Sequence, residues 1–267
     1  MNNMTILHGL ILGIIEGLTE FLPISSTAHL VLGGELLRIP TTDFLKSFEI
    51  SIQLGAILAV VILYWKRVWN NLGIIWKLAA AFIPTSIIGL IFYKIVKNYL
   101  LENTLIIAIS LLLGGIIIIF FENWYAKKQK PAIETDADLD LNAITYKQAV
   151  ILGVVQAIAI IPGVSRSGAT IIGGLTQGIK RKAIVEFSFL LAIPTMLAAT
   201  VLDLYKSPTV FTGNQLSIWL VGFITAFITA LIGVKFLIKY VQKNDFKAFG
   251  WYRIILGVIV LVFLFLK

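Results

Sequence analysis

The chain has 267 residues, 58% hydrophobic and 13% charged, with a net charge of +8, a mean hydropathy of +0.94 and no cysteine. Average globular domains carry about 25% charged residues, so the surrounding solvent must be lipid; soluble two-domain enzymes, disordered chains and nucleic-acid binders are excluded as first readings. The missing cysteines exclude disulfides, thiolate chemistry and zinc–sulfur sites, and the positive excess marks loops expected to stay in the cytoplasm.

The first 15 residues hold no Lys or Arg, unlike a secretory signal. The opening apolar stretch, Ile6–Leu37, is too long for one crossing of about 20 residues. Within it Glu16 and Glu20 are one helical turn apart and share a face. Two carboxylates that close either share a proton or hold a cation between them, and oxygen ligands of this kind suit Mg²⁺ or Ca²⁺. Pro23 is expected to end the first half-helix, and Ser25, Ser26 and Thr27 are N-cap types for a second. The N–H groups and dipole at that start form a natural anion site. Ser26 and His29 are three apart and suggest a nucleophile with its base; plain capping by the serines is the rival explanation. His8, with no partner nearby, reads as structural.

Three spans follow at Phe48–Trp65, Leu78–Val96 and Thr104–Phe121. The stretch from residue 122 to 148 is polar, divides the chain almost in half and reads as a cytoplasmic loop. The next apolar stretch, Ala149–Ile179, is again too long for one crossing and is interrupted by Pro162-Gly-Val-Ser-Arg-Ser-Gly-Ala-Thr170. Its glycines admit close backbone approach, Ser165, Ser167 and Thr170 can bond phosphate oxygens, and Arg166 offers a planar fork for phosphate. The spacing Gly163-x4-Gly168 is that of a P-loop, but Ala169 stands where that motif needs Lys. Three more spans are expected at Ile184–Leu202, Leu216–Ile238 and Ile254–Leu266, the last one short and beginning at an interface near Trp251 and Tyr252.

The fold class expected is therefore an all-α integral membrane protein: six spanning helices plus two broken, re-entrant hairpins, at residues 6–37 and 149–179. Irregular backbone survives at membrane depth only where protein or water lines it. With the first hairpin opening outside and the second inside, fifteen Lys and Arg fall in inside loops, Arg253 among them, and six outside, with Arg166 alone in the membrane. This makes residues 1–121 and 149–267 inverted repeats within one membrane domain. Gly13–Thr27 resembles Gly153–Ser167 with one gap, and Phe48–Ala56 resembles Val185–Ile193, pairing Glu49 with Glu186. Such repeats place a site where the broken helices meet. The halves differ in chemistry: Gln156 and Ile160 stand where the first half has its two glutamates, and only the second has an arginine in its serine cluster. A charged residue at a helix centre costs about 3 kcal/mol, so Glu16, Glu20, His29, Glu49, Arg166 and Glu186 are read as functional.

The motifs Glu16-Gly-Leu-Thr-Glu20-Phe-Leu-Pro-Ile-Ser-Ser-Thr-Ala-His29 and Pro162–Thr170, with Phe48-Glu-Ile-Ser-Ile-Gln-Leu-Gly-Ala56, closely resemble the bacterial undecaprenyl-diphosphatase family linked to bacitracin resistance. Ala28 stands where that family usually has glycine. The resemblance implies a phosphatase of the bacterial cytoplasmic membrane that takes the terminal phosphate from undecaprenyl diphosphate, recycling the carrier lipid for peptidoglycan synthesis. It also implies a divalent cation, a homodimer and a catalytic centre facing the outer side. By position it makes Glu16 and Glu20 the acidic motif and cation ligands, Ser26 and His29 the nucleophile or acid–base region, and Ser165 with Arg166 the phosphate loop. Which of Ser26, His29 or a water attacks stays open at this stage. The rival is an ion-coupled secondary transporter or lipid-phosphate flippase, which shares inverted repeats and midplane acids.

Overall fold

A computed structural model describes residues 4–100, 103–128, 141–206 and 213–266; Lys130 and the acidic run Glu134 to Asp140 lie outside the described residues. All regular structure among those residues is helical. The first broken pair is α1 (Ile6–Thr19) and α2 (Ser26–Leu36), followed by α3 (Asp43–Trp69), α4 (Leu72–Ile95) and α5 (Thr104–Lys128). The second pair is α6 (Tyr146–Gln156), prolonged by a 3₁₀ turn at Ala157–Ile160, and α7 (Arg166–Thr176). Then come α8 (Arg181–Lys206), α9 (Asn214–Val241) and α10 (Lys247–Leu266). Six of these, α3, α4, α5, α8, α9 and α10, are long and apolar enough to cross a membrane.

The helices outrun their hydrophobic windows because polar residues finish them. Thr42 caps α3 by accepting from the Leu45 N–H at 3.2 Å, and Lys66 and Arg67 occupy its last turn, where cations meet the negative end of the helix dipole. His8 joins Thr5 in a capping box at the start of α1, which is its structural role. Two expectations are corrected here. Residues 122–128 are not loop: Glu122 is buried on α5 and accepts two hydrogen bonds from Arg181, at 2.6 and 2.9 Å, and one from the Phe246 N–H. That partner set pulls the helix end into the protein. The last span is not short either: α10 starts at Lys247, so Arg253 sits within it, 2% exposed, and not in an inside loop.

Packing seats the broken pairs against the spans. Gly9, Gly13 and Gly17 lie along one face of α1 against α9; a Cβ at Gly13 would stand 2.5 Å from the Gly222 carbonyl oxygen. Small residues give such close helix approach in lipid, where dispersion replaces the hydrophobic drive. α8 is the most enclosed span, carrying Phe187, Phe189, Leu190 and Leu191 fully buried in the largest core cluster. α4 and α10 present most of their surface outward. Phe21 of the first break packs edge-on against Phe189, with ring centroids 5.2 Å apart, which ties that break to the core.

Candidate active site

The first elbow runs from Glu20 to Ser25. Pro23 does not end α1, as the sequence suggests; the helix stops at Thr19 and Glu20 caps it, four residues earlier. The chain then turns back through a hydrogen bond from the Ile24 N–H to the Leu22 carbonyl at 2.8 Å. Ser25 takes a left-handed conformation, φ 72°, which is costly for a residue with a Cβ. It caps α2 by accepting from the Ala28 N–H at 3.4 Å. Ser26, the first residue of α2, donates its hydroxyl to Glu20 Oε2. Both groups are more than nine-tenths buried.

His29 does not pair with Ser26. Its Nδ1 lies 2.7 Å from the Ser25 carbonyl, which can only accept, so Nδ1 carries the proton. In the neutral ring Nε2 then accepts from the Tyr252 hydroxyl, also at 2.7 Å, and the two rings stack with centroids 5.6 Å apart. Three residues of separation put Ser26 and His29 on one helix, but nearer acceptors and donors claim both.

The second elbow runs from Ile161 to Ser165. Gly163 has φ +87°, and a Cβ there would stand 2.7 Å from the Ile107 carbonyl oxygen, so only glycine fits. Ser165 caps α7 by accepting from the Gly168 N–H at 3.1 Å. The Ser165 and Ser167 hydroxyls are 3.0 Å apart, and Ser167 donates across to the Leu22 carbonyl of the first elbow at 3.0 Å. Arg166 opens α7. Its Nη2 donates to Glu20 Oε1 at 3.0 Å and its Nη1 to the Ser188 carbonyl at 2.7 Å, while Nε has no partner among the described residues. The guanidinium also lies 5.8 Å over the Phe21 ring. Arg166, Glu20 and Ser26 therefore form a continuous chain between the two elbows.

Glu16, one turn before Glu20, is fully buried, and its carboxylate meets that of Glu20 with no other hydrogen-bond partner among the described residues. Glu49 on α3 is within electrostatic reach of it. A cavity of about 770 Å³ starts beside the elbows at Thr27 and Ile160, and passes Glu49 and Gln53 between α2, α3, α4 and α8. Lys46, Tyr93 and Tyr205 also line it. Its size and mainly apolar walls are those of a small-molecule site.

Of the residues singled out from sequence, Glu16, Glu20, Ser25, Ser26, Ser165, Arg166 and Ser167 converge at the elbows, and Thr27 faces the cavity. Thr170 is fully buried and donates back to the Arg166 carbonyl at 2.9 Å, supporting α7 from behind. Tyr252 and Arg253 were not singled out. The signal was there: a full-length last span has to start near Lys247, which puts an arginine inside an apolar helix.

A sequence model of the family described as bacitracin resistance protein BacA matches residues 9–259. A protein of Aquifex aeolicus named undecaprenyl-diphosphatase is 50% identical over 260 residues, covering 97% of this chain and 99% of the relative. Proteins of the same name from Wolinella succinogenes and Bdellovibrio bacteriovorus are 50% and 46% identical over 261 and 262 residues. Each alignment covers 98% of this chain, with 99% and 97% of the respective relatives.

Proposed function

Because the chain belongs to the bacitracin resistance protein BacA family, it is a multi-pass membrane phosphatase acting on undecaprenyl diphosphate, and we propose that its two elbows hold the diphosphate while Ser26 attacks the terminal phosphorus. The reaction yields undecaprenyl phosphate and inorganic phosphate, returning the carrier lipid to cell-wall synthesis. The observation that carries the site assignment is the hydrogen-bonded chain Arg166–Glu20–Ser26.

Ser26 already donates to Glu20, so the carboxylate is placed to take its proton as Oγ advances. The bond from Ser26 Oγ to phosphorus forms while the bridging P–O bond breaks, and undecaprenyl phosphate leaves as the anion. Water then displaces the serine oxygen, which recovers a proton, and inorganic phosphate departs. Arg166, whose Nε has no partner among the described residues, exchanges its protein acceptors for phosphate oxygens and spreads the charge that develops on them. The Ser165 and Ser167 hydroxyls and the N-terminal N–H groups of α2 and α7 add neutral donors. His29, held in one tautomer by Ser25 and Tyr252, flanks this arrangement and does not contact Ser26.

The residues present fit a divalent cation: Glu16 offers two buried oxygens beside the Glu20 carboxylate, with no other partner among the described residues. No cluster of three or more His, Asp or Glu side chains able to hold a metal occurs among the described residues. Glu16 and Glu20 with substrate phosphate oxygens and water make a ligand set that suits Mg²⁺, and Ca²⁺ accepts similar oxygens. When bound, such an ion neutralises phosphate charge.

The finer architecture is part of the same reading. The broken pairs α1–α2 and α6–α7 are taken as re-entrant hairpins of two inverted repeats, supported by their matching breaks at Glu20–Ser25 and Ile161–Ser165. The Lys and Arg distribution supports the orientation, with the cavity wall at Lys46 and Tyr93 toward the outside. The apolar cavity walls suit the lipid chain. The homodimer rests on the family resemblance.

The test compares phosphate release from undecaprenyl diphosphate by purified wild type, Ser26→Ala and His29→Ala in detergent, with and without chelator. The expected result is loss of turnover in Ser26→Ala, residual turnover in His29→Ala, chelator-sensitive wild type, and a trappable phosphoserine. Full activity in Ser26→Ala overturns the nucleophile. Release in detergent, where no gradient exists, also distinguishes hydrolysis from ion-coupled transport.

A further inference from the structure

Arg253 is a buried cation that the proposed chemistry does not use. It is 2% exposed, and no carboxylate pairs with it among the described residues. All its hydrogen bonds go to backbone carbonyls of three separate segments. Nη1 donates to Pro23 of the first elbow at 3.2 Å, and Nη2 to Gly163 of the second at 2.8 Å. Nη2 also donates to the Ser110 carbonyl at 3.0 Å, and Nε to that of Leu111 at 3.4 Å, both in the first half of α5.

Two features of the sequence make room for this geometry. The left-handed turn at Gly163 belongs to the elbow whose carbonyl meets the guanidinium. On α5, a Cβ at position 114 would stand 2.2 Å from Arg253 Nη2 and 2.7 Å from Cζ, so glycine leaves the space that the guanidinium fills. The neighbouring residue, Tyr252, reaches the first elbow separately through His29. An elbow turned against the helix grain leaves carbonyls without intrahelical donors, and in lipid these need a partner inside the protein. One planar guanidinium with five donors can serve several at fixed angles, whereas an ammonium acts as a point charge.

We infer that Arg253 is a positioning residue: its guanidinium clamps the Pro23 and Gly163 carbonyls to α5 and so sets the separation at which Glu20, Ser26 and Arg166 meet. It touches no reacting atom. The activity arm of its test rests on the proposed reaction, but a second, structural arm does not.

The variants are Arg253→Lys, which keeps the charge and loses the fork, and Gly114→Ala, which keeps Arg253 and displaces its guanidinium. Each is purified in detergent and assayed for phosphate release from undecaprenyl diphosphate, with kcat and KM resolved. Each is also made as a Leu36→Cys/Thr176→Cys pair for spin-label distances between the exposed ends of α2 and α7, which the cysteine-free chain allows. The expected result is a fall in kcat of about a hundredfold, the scale of an ångström-sized misplacement, with KM changed less than about threefold. The α2–α7 distance distribution is expected to shift or broaden in both variants. Wild-type kcat with an unmoved distance overturns the clamp. Lost kcat with an unmoved distance also overturns it, since charge rather than spacing would then be responsible. Failure of both variants to fold overturns it too, because the clamp would belong to folding and not to elbow spacing. A distance that moves in both variants, when the wild type itself shows no phosphatase activity, would retain the clamp and remove the reaction.

Discussion

The two elbows solve the same topological problem with different chemistry. The second turns on Gly163, the residue type its left-handed φ requires, and its serines also brace the backbone: Ser165 caps α7 and Ser167 reaches the Leu22 carbonyl. The first turns on Ser25 at φ 72°, a conformation that is costly for most residues with a Cβ. Its next hydroxyl, Ser26, is free of backbone duty and points to a carboxylate. Strain and acids gather on one side, rigidity and the guanidinium on the other. A reaction between them then needs only that both be held in place.

The sharpest way to break this division is at the side that holds phosphate. Arg166→Ala is expected to lower kcat about a thousandfold or more in the phosphate-release assay, and Arg166→Lys to recover no more than about a tenth of the activity, because a point charge lacks the fork. Near-normal turnover in the alanine variant would move phosphate binding elsewhere. Next comes rigidity. Gly163→Ala combines a left-handed φ with a contact of 2.7 Å to the Ile107 oxygen, and a loss of about 2–3 kcal/mol is expected, seen as a lower Tm. An unchanged Tm would mean that the second elbow is looser than its geometry indicates.

Smaller effects sharpen the first elbow. Tyr252→Phe removes the only donor to His29 Nε2 among the described residues; losing one hydrogen bond of about 1 kcal/mol predicts a five- to tenfold drop in kcat. A larger drop would make the pair part of the proton path. Ser25→Gly relieves the positive φ and gives up a long cap of 3.4 Å, which costs only a few tenths of a kcal/mol when glycine replaces it. A net gain of about 0.5 kcal/mol in stability is expected, with reduced turnover as the elbow loses its fixed shape. A gain in both would show that the strain has no function.

Much of this was legible in the residues. Apolar length located each of the six spans on a helix but missed helix ends by up to seven residues, and the prolines with their serine clusters marked both breaks. Glu16, Glu20, Ser26 and Arg166 were recognisable because each is a polar group that lipid penalises. What spacing misassigned was partnership. Ser26 and His29 were paired for being three apart, yet a carboxylate six residues back takes the hydroxyl and a tyrosine 223 residues away takes the imidazole. Glu122 looked like loop because it is charged, and is buried because Arg181, 59 residues on, forks onto it.

The sequence by itself determined that this chain lives in a membrane, where its helices cross and break, and which polar groups must meet; the cost of exposing charge and unpaired backbone to hydrocarbon decides all three. Only the tertiary structure decided which partner each group takes. Arg253 was counted with the loops, and became the link between both elbows and α5 once α10 lay against α5, because hydrogen bonds depend on distance and angle in space, and 230 residues of chain separate it from Pro23.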